Sequence, residues 1–259
     1  MTMVSDKCMY KECDGTGLIH VIDSNLESLM RICRCRKDRE VTIKLQSANI
    51  PLDFIECSVE NFEIEVYKDK SDKQKAKFVK HAASKFVENY DECKSLGKGL
   101  YLFSEMTGSG KSRLAVSIAN DLIKKYNLNV LYTSSIDIFT EIKKTFGSDS
   151  EYKEHEVLKA YKMAELLIID DFGVEKSSEW AESIFTQILE ERMNNRKLTI
   201  FTSNIHTENL SKKFPMGRVQ SRIQKMTFPL AMPEESIRLI LSEKDNYKLF
   251  EEIFSKDII

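Results

Sequence analysis

Twenty residues, Tyr101–Asn120 (YLFSEMTGSGKSRLAVSIAN), limit what this chain can fold into more than any other stretch. A short apolar run enters a loop of small residues and leaves it as an amphipathic helical pattern. Gly108-Ser109-Gly110-Lys111-Ser112 is the heart of a phosphate-binding loop. Backbone N–H groups in such a loop turn inward around anionic oxygens, and glycine lets the backbone approach closely. The positive end of a helix starting near Lys111 favours the same anion. Lys111 then reaches the β/γ-phosphates of a nucleotide, and the Ser112 hydroxyl ligates Mg²⁺. The full pattern, G-x-x-x-x-G-K-[ST], asks for glycine at position 105, where this chain carries Glu105. Support must therefore come from elsewhere in the sequence.

Composition narrows the class. With 42% hydrophobic and 31% charged residues in 259, the chain reads as soluble and globular, long enough to bury a real core. A net charge of −2 gives no global pull toward nucleic acid or a membrane surface. No apolar run approaches the roughly 20 residues of a membrane span, and the N-terminus lacks the apolar core of a signal peptide. The expectation is a cytoplasmic protein with no membrane partner. In a reducing compartment its six cysteines suit metal ligation or buried thiols better than disulfides.

Residues 1–47 read as a separate module. Cys8 and Cys13 precede the turn Asp14-Gly15-Thr16-Gly17, and Leu18–Ile22 reads as a strand. A polar turn over 23–27 leads to a second apolar stretch, Leu29–Ile32, which ends in Cys33-Arg34-Cys35. Two close cysteine pairs flanking a hairpin can gather four thiolates into a tetrahedral Zn²⁺ site. So small a module gains from a metal staple. The alternative is four ordinary reduced thiols, with His20 an exposed strand residue. Arg31, Arg34, Arg36, Lys37 and Arg39 crowd the second pair. They read either as a basic rim for a partner or as a solvated helix face.

Residues 48–66 form a connector in which Pro51 breaks any helix leaving the module. Phe54 and Phe62 are its aromatic anchors and Cys57 a buried thiol. Residues 71–95 show helical periodicity, with a lysine-rich opposite face that includes Lys73, Lys75, Lys77, Lys80 and Lys85. Beyond them, residues 67–259 alternate strands and helices. Strands are expected at Leu100–Ser104, Asn129–Thr133, Leu166–Ile169, Leu198–Thr202 and Met226–Met232, with a loop over 147–150. Such alternation implies a parallel sheet with helices on both faces. Leu166–Ile169 is apolar throughout, as a central strand buried on both faces requires.

That strand ends in Asp170-Asp171. Asp170 at its carboxyl end can hold Mg²⁺, directly or through water, and Asp171 can orient or activate an attacking water. Asn204, at the end of the next strand, can hydrogen-bond the γ-phosphate or that water. Farther on, Arg218 and Arg222 stand four apart on one helical face. Either they belong to a basic surface helix, or one reaches a neighbouring subunit's nucleotide and stabilises transferring charge.

With these residues in view, the sequence resembles the DnaC/DnaI-type replicative helicase loaders, which are AAA+ ATPases. Four features carry the likeness: the cysteine module, the connector from Asn49-Ile50-Pro51 to Asn61-Phe62, the run Leu166–Gly173, and Asn195–Asn204. The resemblance implies an α/β fold: an AAA+ P-loop NTPase αβα sandwich with a five-stranded parallel sheet in the order 5-1-4-3-2, plus the small N-terminal zinc-binding module. Thr107–Ser112 would be Walker A, with Arg113 beside it in the nucleotide site. Asp170 and Asp171 would be Walker B and Asn204 sensor 1. Arg222 would act in trans as the arginine finger of a homo-oligomer. Arg238 falls where a sensor 2 is sought, and the 21 residues after it are too few for a full helical lid. The module would contact a hexameric replicative DNA helicase, and the core would bind ATP and single-stranded DNA. Two other readings use the same residues: a transposition helper ATPase of the IstB type, which the cysteine module disfavours, and a nucleotide-independent zinc adaptor, which Glu105 favours.

Overall fold

The computed structural model describes residues 8–22, 28–146 and 154–250. The turn expected over 23–27 and the loop expected over 147–150 lie outside these residues. Strands β1 (Leu18–Ile22) and β2 (Ser28–Ile32) form an antiparallel hairpin, with Leu18 opposite Ile32. Helix α1 (Arg34–Ser47) starts between Cys33 and Cys35 and runs into the connector. Its sequence is mostly polar, and Cys35 is its one buried residue. The basic cluster is partly neutralised locally: Arg34 pairs with Glu12, and Arg36 lies 3.5 Å from Glu40.

The connector wraps the core through a short 3₁₀ turn, Leu52–Phe54. The helical stretch expected over 71–95 is two helices, α2 (Lys70–Glu88) and α3 (Tyr90–Leu96). At the break, the Tyr126 hydroxyl of another helix donates to the carbonyls of Val87 and Glu88 at 3.0 and 3.2 Å, competing for acceptors that a continuous helix would use. The lysine face of α2 is largely absorbed by local partners. Lys73 pairs with Glu65, Lys75 with Asp72 and Lys85 with Glu88, while Lys80 donates to the Glu60 and Phe62 carbonyls.

The core continues as β3 (Gly99–Phe103), α4 (Lys111–Tyr126), β4 (Val130–Ser134), α5 (Ser135–Lys144), α6 (Glu154–Met163), β5 (Leu166–Asp170), α7 (Glu179–Asn194), β6 (Leu198–Ser203), α8 (Leu210–Lys213), α9 (Arg218–Met226), β7 (Thr227–Ala231) and α10 (Ile237–Leu249). The five core strands are all parallel, in the order β4-β5-β6-β3-β7. Read from the far edge and numbered from β3, this is 5-1-4-3-2, as the resemblance implies. Every residue of β5 is buried. Leu166 and Ile168 face a core shared with α2 and α4, whereas Leu167 and Ile169 face one shared with α5, α7 and α9. The sheet is thus the middle layer of three.

Candidate nucleotide site

The loop between β3 and α4 is fastened from three directions. The Tyr67 hydroxyl donates to the Ser109 carbonyl at 2.9 Å. The Glu234 carboxylate accepts from the Met106 N–H at 3.0 Å and from the Ser104 hydroxyl at 2.9 Å. The Ile237 N–H, at the start of α10, donates to the Gly108 carbonyl at 2.9 Å. Gly108 and Gly110 have φ of 77° and 95°, a region that favours glycine. A Cβ on Gly108 would meet Ser236 Oγ at 2.8 Å and Arg238 Cβ at 2.9 Å, so the close approach also demands glycine.

Lys111 is buried, and its ammonium donates to the Met106 carbonyl at 2.7 Å and the Ser104 carbonyl at 3.2 Å. Burial pulls it below the usual lysine range, opposed by the nearby charges of Asp171, Glu234 and Asp170. Asp170 is held from both neighbouring strands. The Tyr132 hydroxyl of β4 donates to Oδ2 at 2.6 Å, and the Thr202 hydroxyl of β6 donates to Oδ1 at 2.5 Å. The Asp171 N–H donates to that same Thr202 oxygen at 2.9 Å. Asp171 has a left-handed φ of 50°. Burial, then the charge of Asp170, pushes its carboxyl above the usual range, against the pull of Lys111 and Arg238.

These groups meet in one cavity of about 560 Å³, a size typical of small-molecule sites. Thr107, Gly108, Ser109, Gly110, Lys111, Ser112 and Arg113 line it with Asp170, Asp171 and Asn204, and Arg238 closes the α10 side. The residue set fits a magnesium nucleotide: a glycine-rich loop at a helix N-terminus, a buried cation, a hydroxyl and two carboxylates. Arg222 is not among the lining residues. It sits on α9, with Nη2 3.1 Å from Glu190 Oε2 on α7. Glu105 is exposed, and its φ is not positive. The chain there does not need glycine's conformational freedom.

Sequence reasoning missed several contributors. Asp53, Phe54 and Cys57 of the connector line the same cavity. Asn120 of α4 fixes that segment by donating to the carbonyls of Phe54 at 2.9 Å, Ile55 at 3.2 Å and Cys57 at 2.8 Å. Tyr132 and Thr202 could have been found once the strand order was known. Thr202 is level with Asp170 on β6, and Tyr132 is one diagonal away on β4.

A second cluster lies at the hairpin. The four Sγ atoms of Cys8, Cys13, Cys33 and Cys35 are all within 4.8 Å of one another. Cys8 and Cys33 are 3.7 Å apart, and Cys13 and Cys35 are 3.5 Å apart. A tetrahedral zinc with Zn–S of about 2.3 Å has sulfur–sulfur edges of about 3.8 Å, so the donor set fits that ion. Arg39 braces the cluster, donating to the Gly15 carbonyl at 2.8 Å and to Cys35 Sγ at 3.4 Å.

Fold and cavity together define a P-loop ATP-binding protein of the AAA+ type. The chain belongs to the IstB-like ATP binding protein family, whose profile matches residues 21–223. It is similar to the replicative helicase loader DnaC of Buchnera aphidicola subsp. Schizaphis graminum, 29% identical over 179 residues, 69% of this chain and 67% of that protein. It is also 29% identical over 156 residues to the replicative helicase loader DnaC of Escherichia coli (strain K12), covering 60% of this chain and 58% of that one. A crystal structure of DnaI superimposes with a TM-score of 0.56 at 29% identity, covering 71% of this chain and 94% of that chain. Among the described residues, no helix is long and apolar enough to cross a membrane.

Proposed function

We propose that this chain is an ATP-dependent loader of a replicative DNA helicase onto single-stranded DNA in the initiation of replication. The observation that carries the reading is the convergence of Lys111, Ser112, Asp170, Asp171 and Asn204 on one cavity, in a chain whose relatives are named helicase loaders. That convergence also works against a nucleotide-independent adaptor. Cys8 and Cys13 lie outside the matched family segment, and the metal-ligand set they complete favours the loader over a transposition helper.

In this reading the Gly108–Ser112 amides and Lys111 bind the β- and γ-phosphates. Ser112 and Asp170 hold Mg²⁺, which neutralises phosphate charge when bound. Asp171 orients the attacking water and accepts its proton, and Asn204 hydrogen-bonds the γ-phosphate or that water. Arg222, out of reach of its own cavity, serves the nucleotide of an adjacent subunit. Four thiolates hold Zn²⁺ and shape the hairpin that meets the helicase.

A groove beside the carboxyl end of β5 supports the DNA part of the reading. The ring centroids of Phe139 and Phe146 lie 5.3 and 6.0 Å from that of Trp180, and the Lys143 ammonium lies 5.8 Å from the Trp180 ring. Phe146, Ile136 and Val174 are exposed around it. Aromatic faces flanked by lysine suit stacked single-stranded bases.

The test is co-purification with a replicative helicase, with and without ATP. Capture that depends on ATP is expected, and no capture in either condition would overturn the reading. Trp180 is the chain's single tryptophan, so its fluorescence reports DNA directly. Added oligo-dT should quench it, and an unchanged signal would remove the DNA assignment from this groove.

A further inference from the structure

Walker-type carboxylates are usually discussed with the metal and phosphates in front of them. Here the more telling contacts of Asp170 lie to either side, along the sheet. Tyr132 stands opposite Ile168 in the β4–β5 register, so its ring shares a face with Asp170, two residues farther along β5. A long side chain spans that diagonal. Thr202 on β6 comes from the position level with Asp170 itself, two residues beyond Ile200, which is opposite Ile168. The two hydroxyls donate to different oxygens of one carboxylate, at 2.6 and 2.5 Å. Each oxygen keeps a second lone pair, and the plane of the group is fixed.

The two donors are not equivalent. Thr202 is on a central strand, whereas β4 is an edge strand of the sheet. Tyr132 would be the looser of the two but for a backbone tie. Its N–H donates at 2.8 Å to the carbonyl of Ala48, the fully buried residue that caps α1. The ring packs against the core that includes Ala48 and Ile168.

We propose that Tyr132 is a positioning residue for the metal-side carboxylate, fixing the orientation in which Asp170 meets a magnesium-bound nucleotide. The inference rests on the nucleotide reading of the cavity. It concerns the magnesium-dependent part of binding, since Tyr132 is not among the residues lining the phosphate loop's cavity.

The experiment measures the Kd of a fluorescent ATP analogue, with Mg²⁺ and with excess EDTA, for the wild-type chain, Tyr132→Phe and Lys111→Ala. Tyr132→Phe removes one oxygen and keeps the ring, and its melting temperature is recorded alongside. The expected result is an EDTA Kd within about twofold of wild type and a Mg²⁺ enhancement reduced about tenfold or more, the scale of one hydrogen bond to a charged group. A merely structural role would lower the melting temperature and weaken both Kd values together. An undiminished Mg²⁺ enhancement in Tyr132→Phe, with Lys111→Ala losing binding in both conditions, would overturn the positioning role and leave the nucleotide reading standing. Nucleotide binding that Lys111→Ala does not impair would overturn both.

Discussion

Arg222 is tied to Glu190 and to its own helix: Nη2 lies 3.1 Å from the Glu190 carboxylate, and Nη1 donates to the Arg218 carbonyl at 3.0 Å. Its charge is therefore spoken for within the single chain. A role at a neighbour's phosphate requires the side chain to exchange a half-exposed carboxylate partner for a fuller negative charge. The Glu190 carboxylate is half-exposed and screened by solvent, whereas the Arg222 side chain is only 18% exposed, so the exchange must also draw a largely buried guanidinium out of its packing.

Arg222→Ala should leave ATP affinity within about twofold of wild type and lower hydrolysis by the assembled protein by about 10³-fold or more, the range of an arginine supplied in trans. Mixing Arg222→Ala with Lys111→Ala chains should restore part of the rate. One chain brings an intact cavity and the other an intact arginine. Unimpaired hydrolysis by Arg222→Ala would remove the trans role.

Asp171 offers a test with an explicit sign. Its carboxyl titrates higher in the folded chain than in the unfolded one, where the ordinary value is about 3.9. Ionising it therefore costs folded stability. That cost is absent at pH values below the unfolded pKa and fully present above the folded one. Asp171→Asn should raise the melting temperature at pH 7.5, and the gain should shrink as pH falls through the carboxylate range. Asparagine also accepts the left-handed φ of 50° at this position. Hydrolysis should drop by about 10²-fold or more with the loss of the base. A variant less stable than wild type at pH 7.5 would contradict this electrostatic account.

Metal analysis should find one zinc per chain. Cys35→Ser should abolish it and expose the amides of Leu18–Ile22 to rapid hydrogen exchange, because among the described residues the buried cluster around the hairpin consists of the cysteines with Ile19. The protection of β5 should not change, since its cores are built from other residues. Wild-type protein free of zinc would show the thiols to be ordinary.

Glu105→Gly should bind ATP as tightly as wild type or more tightly, by isothermal titration. The side chain is exposed, and removing it takes one negative charge from the mouth of a phosphate site. A tenfold loss would give Glu105 a positive role.

Legibility in the sequence followed the physics of each segment. β5 was plain because a strand buried on both faces must be apolar throughout. The loop at Gly108–Ser112 was plain because its backbone geometry restricts residue choice. The order of the strands was not written in any local pattern and came through family resemblance. α1 was obscure because Cys35 is its one fully buried residue and its contact with the core is limited to partly buried side chains such as Val41 and Leu45. The division at Asn89 was invisible because the group that competes for the last acceptors of α2, the Tyr126 hydroxyl, belongs to another helix. The connector was harder still. Phe54 announces that something is covered, but only the Asn120 amide, 66 residues away in sequence, shows that it covers the nucleotide cavity.

Helix α1 carries one further consequence. It begins among the cysteines and ends at Ala48, whose carbonyl is locked to β4, and it spans roughly 21 Å at 1.5 Å per residue. Lys44 adds a second fastening by donating to the Asn127 carbonyl at the end of α4. The hairpin is mounted on a rod and not hung from a tether. A force applied to the hairpin would reach the edge of the sheet through α1, one side chain from Asp170.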